Sequence, residues 1–177
     1  GNYYLKRELP KGKRNKQLVN LNTAKKVGIV YQLDDDKTYR LINNLVIFLQ
    51  DKNIKVKALG YVKDKYLTQK YLPKMTYDFF YSKNLNWYNK PCGIYVKEFL
   101  NENFDIFIDL SLEEIYPIKY ISGRTNAKLK VGRFDENNKE IFDLMFGVDN
   151  KTDLEKFISE ITHYLTLINT QQDVKRN

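Results

Sequence analysis

Residues 26–62 contain the pattern that most restricts the fold, namely two strand-like segments with an amphipathic helix between them. The first segment, residues 26–33, is mostly apolar, and the second, residues 54–62, alternates apolar and basic residues before it becomes apolar. Between the two segments a helix is predicted at residues 36–51, because apolar residues recur there at helical spacing. They are Leu41, Leu45, Phe48 and Leu49, with Ile42 and Val46 beside them on a wide apolar face. Two strands joined by one helix predict a right-handed βαβ unit with parallel strands.

The alternation of strands and helices continues along the rest of the chain. Further strands are predicted at residues 76–82, 104–110, 127–134 and 140–148, and further helices at residues 92–101, 111–123 and 151–169. The last two strands are separated by the polar sequence DENN, which predicts an antiparallel hairpin at the edge of the sheet.

Together these elements predict one domain of the α/β class. We expect a single three-layer, Rossmann-like domain at residues 26–170, with a mostly parallel sheet and an antiparallel edge hairpin. A basic N-terminal arm at residues 1–25 precedes this domain, and a polar tail at residues 171–177 follows it. A chain of 177 residues is long enough for one such core.

The single cysteine and the single histidine restrict the chemistry that the chain can perform. Cys92 has no second cysteine with which to form an internal disulfide, and with His163 it is too small a set for a nitrogen and sulfur zinc site. We expect Cys92 to be buried at the start of a helix. No apolar run is as long as a membrane span, and the lack of disulfides fits a reducing compartment, so a cytoplasmic location is predicted.

The positive charge is concentrated near the N-terminus. The formal net charge is +8, and residues 1–26 hold eight basic residues against the single acidic residue Glu8, whereas the remainder is almost neutral. The eight basic residues are Lys6, Arg7, Lys11, Lys13, Arg14, Lys16, Lys25 and Lys26. Such an arm attracts polyanions, so we predict binding to structured RNA such as the ribosome, or to an acidic protein. A merely solubilising terminus is the alternative.

Acidic residues follow two of the predicted strands. Asp34, Asp35 and Asp36 come after the first strand, and Asp109 ends the strand at residues 104–110. Because the carboxyl ends of parallel strands share one edge, Asp34, Asp35 and Asp109 are candidate ligands of Mg²⁺. The alternative is that Asp35 or Asp36 caps the helix that follows.

No nucleotide-binding glycine motif accompanies these acids, and two aromatic residues in a polar loop offer a different chemistry. G-x-G-x-x-G follows no strand and the P-loop motif is absent, so no cofactor is predicted. Trp87 and Tyr88 lie between Lys83 and Lys90, where their rings could stack on nucleic-acid bases. The alternatives are that the rings close the loop onto the core, or that they contact a partner protein.

The segment FDIFIDLSLEEIYPIKYISGRTNAKLKVGRF, residues 104–134, together with the strands VGIVYQ and LGYV, resembles an uncharacterised family of small Rossmann-like α/β proteins from Bacteroidota, a domain of unknown function. The resemblance covers nearly all of the chain after the arm. It implies the fold and a bacterial source, and it brings no activity and no functional residue.

The function expected from the residues is therefore that of a non-enzymatic cytoplasmic binding module that docks on RNA or the ribosome through its arm. Two alternatives stay open. One is a Mg²⁺-dependent enzyme or phosphate sensor that uses the acidic residues, and the other is a protein-interaction adaptor that uses the Trp87 loop.

Overall fold

The computed structural model describes residues 14–63 and 74–169. Six strands form one sheet: β1 (Lys26–Gln32), β2 (Lys55–Val62), β3 (Tyr77–Tyr81), β4 (Asn103–Asp109), β5 (Asn126–Arg133) and β6 (Leu144–Phe146). Four α-helices lie in the described ranges: α1 (Asp36–Asp51), α2 (Ile94–Leu100), α3 (Tyr116–Arg124) and α4 (Leu154–Leu167). The strand order is β3-β2-β1-β4-β5-β6 and every neighbouring pair is parallel. This is the doubly wound order of Rossmann-like domains.

Helices cover both faces of the sheet, which gives three layers. On one face α1 and α4 bury Ile42, Leu45, Val46, Leu49, Phe157, Ile161 and Leu165. On the other face α2 and α3 bury residues that include Val96, Phe99, Ile118 and Ile121. The predicted α/β class and the three-layer, Rossmann-like architecture are confirmed.

The predicted antiparallel hairpin at the sheet edge is wrong. β5 and β6 are parallel, with Val131 paired to Leu144 and Arg133 paired to Phe146. The chain between them crosses one face of the sheet, because Phe142 is buried with its ring directly over Gly132. A tight turn across DENN would leave this ring in solvent, so burial of the connection favours the parallel strand.

Part of the predicted arm packs against the domain. We call residues 14–24 the N-terminal strap. Its backbone donates a hydrogen bond from Gln17 N to Lys128 O at 3.0 Å and one from Leu21 N to Leu165 O at 2.9 Å. Three of its apolar residues are buried: Val19, Leu21 and Ala24. Residues 1–13 of the arm and the predicted tail, residues 171–177, lie outside the described residues.

Gly28 in β1 leaves the space that an aromatic ring of β4 fills. A Cβ atom added at Gly28 would lie 2.7 Å from the ring of Phe104, which is itself held 5.0 Å, centroid to centroid, from the ring of Phe99. We expect Gly28→Ala to lower the free energy of unfolding by about 1–3 kcal/mol, because the ring cannot move without disturbing its neighbours. Urea denaturation measures this change. Gly147→Ala, where a Cβ meets nothing within 4 Å, is the matched control and should change stability by less than about 0.5 kcal/mol; equal effects of the two substitutions would contradict the packing argument.

Candidate functional site

Basic residues gather where the central strands begin. Lys26 is the first residue of β1, and Lys25 precedes it. β2 begins beside them, where Lys55 N donates a hydrogen bond to Lys25 O at 2.9 Å. Near the start of β5, the ammonium of Lys128 lies 2.8 Å from Asp105 Oδ1 on β4. We define the amino-end basic surface as Arg14, Lys16, Lys25, Lys26, Lys55 and Lys128. Parallel strands bring these residues to one edge of the sheet.

Asp105 ties three of these residues together. Its Oδ2 accepts hydrogen bonds from the backbone N–H groups of Lys25, at 2.7 Å, and Lys26, at 3.0 Å. Burial raises the pKa of Asp105, but the Lys128 ammonium and the two N–H groups outweigh burial, so its pKa is lowered overall. The carboxylate therefore stays ionised and holds the two strand ends and Lys128 in fixed positions.

Other carboxylates hold the remaining members of the surface. The ammonium of Lys26 is hydrogen bonded to Glu102, and this contact is the main reason why the pKa of Glu102 is lowered. Arg14 donates to Ala127 O at 2.8 Å and to Asp143 Oδ1 at 2.5 Å. Much of the hydrogen-bonding capacity of Arg14 is thus used inside the protein.

Several cations of the surface remain open to solvent. The side chain of Lys16 is 67% exposed, although its ammonium lies 3.3 Å from Asp143. Lys25 and Lys55 are exposed as well. The sequence alone does not mark Lys55 and Lys128 as binding residues, because the alternation IKVK and AKLK at two strand starts has meaning only once the strand order is known. The predicted nucleic-acid-binding residues Lys6, Arg7, Lys11 and Lys13 lie outside the described residues.

Trp87 and Tyr88 lie elsewhere. They belong to the loop between β3 and α2, at the carboxyl edge of the sheet, opposite the amino-end basic surface. Both are exposed, Trp87 to 83%, and their ring centroids are 3.7 Å apart. The predicted nucleic-acid-binding residues within the described ranges therefore form two separate groups.

The structure does not bring the three predicted metal ligands together. Asp35 caps α1 by accepting a hydrogen bond from Thr38 N at 2.7 Å, and this bond lowers its pKa. Asp34 accepts a hydrogen bond from Gln32 at 2.5 Å, while Asp109 is buried on the far side of β4 against Ser122. Within residues 14–63 and 74–169, no three carboxylate, thiol or imidazole groups are placed to share a metal ion.

Cys92 is exposed, not buried as expected. α2 begins two residues later, after Gly93, whose φ of 113° marks a turn. This turn holds Cys92 outside the helix and away from the core, because glycine adopts a positive φ that other residues avoid.

The sequence matches a known family over most of its length. A model described as a family of unknown function, DUF6913, matches residues 1–168. The chain belongs to this family. A search of curated proteins finds no match to the DUF6913 chain. In the part of the chain that the structure describes, no helix has both the length and the apolar character needed to cross a membrane.

Proposed function

We propose that this DUF6913 chain is a non-enzymatic, cytoplasmic binding module of Bacteroidota that docks on structured RNA, such as that of the ribosome, through its N-terminal basic residues. The main support is that the amino-end basic surface is continuous with residues 1–26, the segment that holds most of the net charge. Arg14, the first described residue, is anchored beside β5, and residues 1–13 join it covalently with four further basic residues.

The arrangement of the carboxylates supports this proposal. Asp105 holds Lys128, Glu102 holds Lys26 and Asp143 holds Arg14. Lys16, Lys25 and Lys55 stay exposed beside these fixed cations. Cations fixed on a rigid sheet edge lose little side-chain entropy when they meet a phosphate backbone. Trp87 and Tyr88 stay predicted base-stacking residues, and they would meet the same RNA only if it extended past the opposite edge of the sheet.

A charge-matched pair of variants tests the proposal. The triple variant Lys25→Gln, Lys55→Gln and Lys128→Gln should bind ribosomal RNA about 10–100-fold more weakly at low salt, because each phosphate contact contributes electrostatic free energy. The logarithm of its binding constant should also fall less steeply with the logarithm of the salt concentration, by about one unit per lost contact. Fluorescence anisotropy at several salt concentrations measures both quantities.

The control removes the same charge from the carboxyl edge through Lys63→Gln, Lys139→Gln and Lys151→Gln, all of them exposed residues. This variant should bind RNA as the wild type does. Equal weakening in both triple variants, or binding that does not depend on salt, would refute RNA docking at the amino-end basic surface. Capture of one stoichiometric protein after nuclease treatment would favour the adaptor function instead.

A further inference from the structure

A small polar cleft lies at the carboxyl ends of β4 and β5, beside the start of α3. Its lining includes Ser111, Lys119, Arg133 and Asn138. This edge of an open parallel sheet is where α/β domains generally bind ligands. The cleft is at the opposite edge from the amino-end basic surface, so it is separate from the proposed RNA contact.

One buried ammonium of the cleft makes no hydrogen bond to the described residues. Lys119 is 7% exposed, and its Nζ has no hydrogen-bond partner among them. A carboxylate oxygen of Glu114 lies 3.3 Å from Lys119 Nζ, without the geometry of a hydrogen bond. Ser111, which is 8% exposed and also lines the cleft, directs its hydroxyl to Asp109 and opposes the rise in the pKa of that carboxyl. An ammonium has three N–H donors, and a buried one without a well-placed acceptor is energetically costly, so the cleft has a place for a further acceptor.

Further positive groups converge on the same place. The guanidinium of Arg133 is a second cation of the lining and lies 3.3 Å from Asp135. α3 begins here after Ile115, which also lines the cleft and gives the helix no side-chain cap. The positive dipole end of α3 therefore adds to the attraction for an anion, while Pro117 in its first turn has no N–H to donate.

The acidic residues of the lining oppose an anion less than their number suggests. Asp109 accepts hydrogen bonds from Ser111 N at 2.9 Å and from Ser122 Oγ at 2.7 Å, so its oxygens are turned to the protein. Burial raises the pKa of Asp109 in spite of these bonds. Glu113 and Glu114 are exposed and can turn toward water.

We propose that this cleft binds one phosphate group, with Lys119 and Arg133 as donors, and that Glu114 competes with the phosphate for the Lys119 ammonium. The cleft is small, which favours a single tetrahedral oxyanion over a whole nucleotide. The phosphate group belongs either to the free anion or to a small phosphate monoester.

Two variants with opposite expected effects test the site. Calorimetric titration of the full chain with inorganic phosphate should saturate. Lys119→Met should weaken the affinity at least tenfold, because it removes a charge-assisted hydrogen bond. Glu114→Gln should strengthen the affinity a few-fold, because it removes the competing carboxylate. Lys139→Met is the control, since Lys139 is exposed and paired with Glu136 at 2.5 Å, and it should bind phosphate as the wild type does.

The outcomes separate a site from a general salt effect. A lack of saturation, equal affinities in the wild type and Lys119→Met, or weaker binding by Glu114→Gln would overturn the proposal. NMR spectra of the backbone amides establish whether each variant folds. If Lys119→Met does not fold, the direction of the change in phosphate affinity of Glu114→Gln still tests the proposal. Titration with glycerol phosphate identifies the source: tighter binding than inorganic phosphate indicates a monoester, and weaker binding indicates the free anion. These titrations contain no RNA, so their result is independent of RNA docking.

Discussion

Replacing Lys130 by methionine is expected to stabilise the protein near neutral pH and to flatten the rise of its stability with pH. Lys130 lies in β5 and is 3% exposed. Its Nζ is 3.5 Å from Gly123 O and 5.9 Å from the centroid of the Phe107 ring. Burial lowers the pKa of Lys130 to about 7, and the positive charges of Arg14 and Lys16 act in the same direction, against the attraction of Asp143 and Asp109.

The direction of the pH dependence follows from the number of protons bound in each state. In the unfolded chain the pKa of Lys130 is near the ordinary 10.5. Between about pH 7 and 10 the unfolded state therefore binds one proton more than the folded state, and the free energy of unfolding rises with pH by about 2–4 kcal/mol. Below about pH 7 both states hold the proton and the full penalty of burying the charge remains. Methionine keeps the apolar stem and carries no charge.

Urea denaturation at about pH 7, 8.5 and 10 measures this difference. The Lys130→Met variant should exceed the wild type by about 2–4 kcal/mol at the lowest pH, and the gap should close at the highest. Lys97→Met, on the exposed side of α2, removes one positive charge without emptying a buried site and should keep the wild-type rise. Parallel profiles for the wild type and Lys130→Met would show that Lys130 is not a buried titrating group.

The second large effect is expected from Arg14. Arg14 and Lys16 both approach Asp143 Oδ1, at 2.5 Å and 3.3 Å. The Arg14 side chain is mostly buried and also donates to Ala127 O, whereas that of Lys16 is mostly exposed. Arg14→Ala should therefore lower the free energy of unfolding by about 2–4 kcal/mol, and Lys16→Ala by about 0–1 kcal/mol.

A double-mutant cycle with Asp143→Asn isolates the interaction between Arg14 and Asp143. Urea denaturation of Arg14→Ala, Asp143→Asn and the double variant should give a coupling free energy of about 1–3 kcal/mol, and the same cycle with Lys16→Ala should give less than about 0.5 kcal/mol. Equal costs for the two single substitutions would mean that Arg14 does not anchor the N-terminal strap. The result also bears on RNA binding, because a loss of affinity in Arg14→Ala would then reflect a displaced segment as much as a lost phosphate contact.

The elements that the sequence predicted well are those with local causes. The predicted helix at residues 36–51 matches α1, because Asp35 caps its start and its apolar spacing marks the buried side. Of the predicted apolar face, Ile42, Leu45, Val46 and Leu49 are buried, whereas Phe48 stays exposed beside Lys52. The pattern of one helix does not show which part of a wide apolar face meets the sheet.

The failures have non-local causes. β6 is parallel because Phe142 packs over Gly132 and Asp143 exchanges hydrogen bonds with the backbone of Lys130, contacts that no local turn signal contains. The amino-end basic surface depends on which strands are neighbours. The local sequence does not predict the burial of Lys119 and Lys130 either. The groups around them come from other elements, and a charged residue in a strand or helix usually faces solvent.

The N-terminal strap has a consequence for synthesis of the protein on the ribosome. Its partners are far along the chain: Leu21 bonds to Leu165, and Asn20 bonds to the carbonyl of Ile168. The strap precedes these partners in the chain, so Asn20 and Leu21 cannot make their contacts until α4 and Ile168 have been synthesised. Closure of this part of the strap onto α4 is therefore a late step of folding.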